Sequence, residues 1–95
     1  GGALTAHLIG ELDHHAAAPI RNQIDTAVLS CRCSRLILDL SRLTFMDSSG
    51  IAVIIRASRR MRELGGRVWI ENPTRQPLRV IDASGIDRLV PVATR

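Results

Sequence analysis

LILDLSRLTFMDSSGIAVII, residues 36–55, decides how the chain folds. With Arg35 before it, RLILDL is a short and nearly continuous apolar run, the signature of a strand paired on both edges and covered on at least one face. Thr44, Phe45 and Met46 read as the end of something buried. From Ile51 the period changes: Ile51, Ile54, Ser58 and Met61 fall on one stripe of a helix expected from about Ser48 to Leu64, and Gly65-Gly66 supply its left-handed stop. Between the two segments stand an acid, two hydroxyls and a glycine: Asp47, Ser48, Ser49 and Gly50. Any charge added at that junction would be felt at once.

The pattern continues in both directions. Upstream, ALTAHLIG alternates loosely enough for a strand ending at Gly10. Asp13 is a natural N-cap for a helix through AAAPIRNQIDTAVL, in which Ile20, Ile24, Ala27 and Val28 recur at helical spacing and Pro19 falls in the first turn or two. Downstream, RVWIE is a short strand. TRQPLRVIDASG is a helix that tolerates its proline in the first turn, carries Leu78, Val80 and Ile81 and stops at Gly85. DRLVPV closes the series as an edge strand, because Pro91 is awkward in a central one. Strict alternation of strand and helix predicts an α/β fold in one domain: a mainly parallel central sheet with alternating helices packed on it and right-handed crossovers.

Composition narrows the function. A chain of 95 residues with 45% apolar content builds one domain with a modest core and has little room for a deep substrate cavity. The longest apolar run, IAVII, is too short to cross a bilayer, and no secretion signal opens the sequence, so a cytoplasmic location is expected without membrane insertion. The excess of 13 Lys+Arg over 9 Asp+Glu permits an anionic partner. One Trp, one Phe and no Tyr leave no stacking platform for bases, and nucleic-acid binding is not expected. Cys31 and Cys33 are too close for ordinary disulfide geometry and do not form a zinc set, so two reduced thiols in a loop are expected. His14 and His15 cannot easily face one ion, and no cofactor or metal is expected. Ser49 with these histidines and Asp13 or Asp47 lacks the elbow and pocket of a hydrolase, and no enzyme activity is expected.

The motif D-x-S-G-I occurs twice, as Asp47 to Ile51 with an extra serine and as Asp82 to Ile86. The second copy ends a helix, which makes Gly85 its C-cap. The first opens one. A hydroxyl at a helix N-terminus either caps the helix or carries an anion, because the first N–H groups lack partners and the dipole is positive there. Two readings of Asp47, Ser48 and Ser49 therefore stand: simple capping, or a site at which a phosphoryl group of about −1.5 to −2 charges is held by local N–H groups.

TFMDSSG with GELDHHAA upstream and DASGID downstream resembles the STAS family, specifically the bacterial anti-sigma-factor antagonists, over nearly the whole chain. The resemblance implies a single STAS domain over residues 1–95, with a further strand ahead of ALTAHLI that is absent or cut short here. It maps the phosphoacceptor onto Ser49, with Asp13, Asp47, Ser48 and Gly50 around it. His14, His15, Ile51, Val53 and Arg56 are expected to face the partner, and Arg59, Arg60 and Arg62 to form a solvated run complementing the helix dipole. It further implies a partner switch. The unphosphorylated domain, a monomer or weak dimer, binds an anti-sigma factor that is also a serine kinase and frees the sigma factor; phosphorylation releases it, and a PP2C-type phosphatase resets it. The alternative keeps the fold and makes it an adaptor module of a transporter, a lipid-transport complex or a stress-sensing assembly.

Overall fold

The computed structural model describes residues 2–94. In chain order it contains β1 (Ala3–Leu12), α1 (His14–Cys31), β2 (Arg35–Met46), α2 (Ser48–Glu63), β3 (Arg67–Glu71), α3 (Arg75–Ser84), a 3₁₀ turn (Ile86–Arg88) and β4 (Val92–Ala93). The strands lie side by side in chain order, all parallel. One face of the sheet carries Leu8, Leu12, Leu36, Leu38, Leu40, Val68 and Ile70, all buried. The stripe read on α2, Ile51, Ile54, Ser58 and Met61, is buried too, as are Ile24 and Val28 of α1 and Ile81 of α3. Residues on the opposite phase, Thr5, His7 and Ile9 of β1 and the half-buried Ile37, Asp39, Trp69 and Glu71, form the more open face.

Three boundaries differ from the sequence reading, each for a local reason. Gly10 does not end β1. It adopts φ +87° between two register shifts against β2, and the strand passes through this bulge to Leu12. RLILDL and LTFM are one strand, with Asp39 accepting from the Ser41 backbone N–H at 3.1 Å where the polar pair Ser41-Arg42 interrupts the apolar pattern. DRLVPV is mostly not a strand: Ile86–Arg88 forms a 3₁₀ turn, Val90 plugs the core, and the edge strand beyond Pro91 is two residues long.

The helix stops behave as read. Gly65 at φ +81° donates to the Arg62 carbonyl at 3.0 Å and Gly66 to that of Met61 at 2.7 Å, the paired bonds of a Schellman ending. Gly85 caps α3 at φ +76°. Cys31 closes α1 instead of lying in a loop, and the left-handed Arg32 reverses the chain and brings Cys33 back beside it, with Cα atoms 5.1 Å apart.

On the open face, His7 Nδ1 lies 2.8 Å from Asp39 Oδ2. Partial burial pushes the Asp39 carboxyl up, but hydrogen bonds from the Ser41 N–H, the His7 ring and the Ser41 hydroxyl, with the attraction of His7, outweigh it and hold the carboxyl below its usual range.

Candidate phosphoacceptor site at the paired helix starts

The two motifs meet because two neighbouring strands end level. Leu12 and Met46 are the last register partners of β1 and β2, and the Asp47 N–H donates to the Leu12 carbonyl. Each strand is followed by one aspartate, and each aspartate caps a helix. Asp13 Oδ1 accepts from the His15 and Ala16 N–H groups at 3.0 Å. Asp47 Oδ1 accepts from the Ser49 N–H at 2.8 Å. The positive ends of two helix dipoles thus lie side by side, each already facing a carboxylate.

Ser49 stands in the first turn of α2, half-buried, on a groove of about 350 Å³ between the helices. Ala17, Ala18, Ala52 and Val53 line it, together with His14, Arg21, Arg56 and Ser49. The serine is therefore reachable from outside. No hydrogen bond joins its hydroxyl to Asp13 or Asp47 among the described residues, so both acids serve as caps. The N–H groups of Ser49, Gly50 and Ile51 all donate to Asp47, through its carboxylate or carbonyl, as the capping reading of this junction expects.

The corner is held from below and behind. Gly50 is buried against Met46 and Leu12: a Cβ built there would lie 2.7 Å from Met46 Sδ and 3.1 Å from Leu12 Cγ, and closer still to Met46 Cγ. The β2–β3 ladder ends at Asp39 and Glu71, leaving the last residues of β2 without a strand on that side. The start of α3 fills the gap. Thr74 donates its hydroxyl to the Leu43 carbonyl, and Gln76 clamps Met46, its Oε1 accepting from the Met46 N–H at 2.7 Å and its Nε2 donating to the Met46 carbonyl at 2.9 Å.

Of the residues expected to face a partner, His14, His15 and Arg56 are exposed. Ile51 and Val53 are not: they are 9% and 4% exposed, because Ile51 joins the core stripe and Val53 packs against α1 under the groove. Arg56 is also engaged within the fold, its Nη2 and Nε 3.1 and 3.3 Å from Asp25 Oδ2 on α1. Thr74, Gln76, Arg21 and Asp25 were not singled out from sequence. No group of three or more His, Cys, Asp or Glu side chains able to hold a metal occurs among the described residues, and none of their helices is long and apolar enough to cross a membrane.

A one-layer parallel sheet in chain order, with two aspartate-capped helices starting together beneath an accessible serine, defines the class: the chain belongs to the STAS domain family, which it matches over residues 1–95. Within that family it is 35% identical over 91 residues to an anti-sigma F factor antagonist of Paenibacillus polymyxa, a match spanning 96% of this chain and 78% of the relative. The anti-sigma factor antagonist SpoIIAA in its unphosphorylated form has the same fold, with a TM-score of 0.82 and 34% identity over 99% of this chain and 82% of that one. The Bacillus cell fate determinant SpoIIAA in its phosphorylated form aligns at TM-score 0.71 and 34% identity, over 98% and 84% of the two chains.

Proposed function

We propose that this STAS domain is an anti-sigma-factor antagonist switched by phosphorylation of Ser49. Unphosphorylated, it docks on an anti-sigma factor that is also a serine kinase, and the sigma factor is freed. The kinase passes the γ-phosphoryl group of ATP to Ser49 Oγ, ADP leaves, the hydroxyl proton goes to a base of the kinase or to solvent, and the modified antagonist dissociates. A PP2C-type phosphatase hydrolyses the ester with water, returning serine and inorganic phosphate. The domain itself acts by binding in the cytoplasm and catalyses nothing.

The observation that carries this reading is the placement of Ser49, accessible at the mouth of the α1–α2 groove in a chain akin to anti-sigma F factor antagonists. Added charge at such a spot acts on whatever docks there. Bringing a dianion into an interface against apolar or acidic groups is costly, and each 1.4 kcal/mol weakens binding about tenfold. The test is incubation with an anti-sigma-type serine kinase and ATP, site mapping by mass spectrometry, and binding titrations of Ser49→Ala and Ser49→Asp. Phosphate on Ser49, retained binding by the alanine variant and a loss of about tenfold or more by the aspartate variant are expected. Modification elsewhere, or wild-type affinity in Ser49→Asp, would reject the switch.

A further inference from the structure

A phosphoryl group on Ser49 needs counter-charge, and the backbone has little left to offer. At the head of α2 the N–H groups of Ser49, Gly50 and Ile51 are committed to Asp47, and at the head of α1 those of His15, Ala16 and Ala17 are committed to Asp13. The cation that answers a phosphate must come from a side chain. The groove holds three candidates, His14, Arg21 and Arg56.

Arg56 already bonds Asp25. Arg21 forms no ion pair among the described residues, and its Nε is buried without a hydrogen-bond partner. A buried N–H without an acceptor is uncommon and unfavourable, and such a group lining the same groove as a hydroxyl open to modification is a donor awaiting an acceptor. Among the described residues only Arg60 shares this condition, and Arg60 lies outside the Ser49 groove.

Geometry favours the encounter. His14, Ala17, Ala18 and Arg21 make one stripe of α1 at helical spacing, and Ser49, Ala52, Val53 and Arg56 the facing stripe of α2. Both helices start from adjacent strand ends, so position 21 lies about 10 Å down the axis from the level of His14. Helical side chains lean back toward the N-terminus, which brings a long arginine up the groove toward Ser49, past small lining residues that leave room for it. Guanidinium is permanently charged and presents a planar fork that matches phosphate oxygens.

We infer that Arg21 is the antagonist's own cradle for the phosphoryl group on Ser49, swinging across the α1–α2 groove to hold it once the serine is modified. This rests on the reading of Ser49 as phosphoacceptor. Phosphorylation then changes the docking face twice, by adding charge at Ser49 and by drawing an arginine across the alanines that line the groove.

Phosphoserine placed at position 49 during translation, without any kinase, isolates this claim from the preceding one. ³¹P NMR titration should give the phosphate a second ionisation about one pH unit below the value near 6 of free phosphoserine. Arg21→Gln should return it close to 6, and Arg21→Lys should fall between. In the wild-type phosphoprotein the Arg21 Nε–H resonance should shift and gain exchange protection relative to the unmodified protein, a readout that needs no variant. Equal ionisation in wild type and Arg21→Gln, or an Arg21 Nε–H indifferent to phosphate, would overturn the cradle. A kinase that never modifies Ser49 would defeat the proposed switch and leave these measurements standing.

Discussion

Gly50→Ala sets two effects of opposite sign against each other at the corner that carries Ser49. Inside an exposed helix the change would stabilise by about 1 kcal/mol, since alanine is the better helix former. Gly50 is buried, however, and the new methyl meets Met46 and Leu12, both fully buried. The nearest atom is Met46 Cγ, in the middle of a side chain packed on all sides, so the methionine cannot simply swing its end away. Overpacking of a dense core costs about 1–3 kcal/mol, and contact this close belongs in the upper half of that range. The net is a loss of about 1–2 kcal/mol, equivalent to a drop in Tm of about 5–15 °C for a domain of this size.

Thermal and urea denaturation of wild type, Gly50→Ala, Met46→Ala and the double variant measure it. The methyl should partly fill the space that Met46→Ala opens, so the double variant should lose less than the two single losses combined. A Gly50→Ala protein as stable as wild type, or more stable, would refute the argument, because helix propensity would then be acting without steric opposition. Strict additivity in the cycle would refute the role assigned to Met46.

Two further predictions concern the supports and the open sheet face. Gln76→Ala leaves the Met46 N–H and carbonyl without their clamp and should cost about 1–3 kcal/mol, with amide exchange accelerating at Met46; unchanged exchange there would show that the end of β2 is held by something else. Asp39 is held below its usual range, so its stabilisation is fully present above the unfolded value of about 3.9 and is lost as pH falls through the lower folded value. The stability gap between wild type and Asp39→Asn should therefore shrink below about pH 4. A gap unchanged down to pH 2 would contradict that assignment.

Periodicity made the layers legible: the buried stripe of α2, the apolar run of β2 and the glycine stops all rest on local rules. Strand ends were less so, because a bulge at Gly10 and a polar interruption at Ser41 look the same in sequence as a turn, and only pairing with a neighbour distinguishes them. Of the site, Asp13, Asp47 and Ser49 could each be read from capping rules. Their adjacency was implied only by the family resemblance and not by capping rules, since it depends on β1 and β2 ending level, which is a property of register. Val53 misled for a related reason: off the main stripe it looked exposed, yet a second helix packs on that side of α2. Gln76 gives no signal at all until the short β3 ladder leaves the end of β2 in need of partners.

These supports also bear on how a switch at Ser49 can work. The start of α2 is fixed three times over: by the Asp47 cap, by Gly50 wedged against Met46 and Leu12, and by the Gln76 clamp behind Met46. A helix start so determined has little freedom to retreat from a new charge. The response to phosphate must then fall on mobile side chains in the groove and on the docked partner, not on the backbone. Release needs little more: moving a complex from nearly all bound to nearly all free requires a difference of about 5.5 kcal/mol, within reach of a dianion forced against a surface chosen for a neutral hydroxyl. A rigid corner is therefore an advantage under the proposed function, because a backbone that yielded would absorb the charge difference that the partner has to feel.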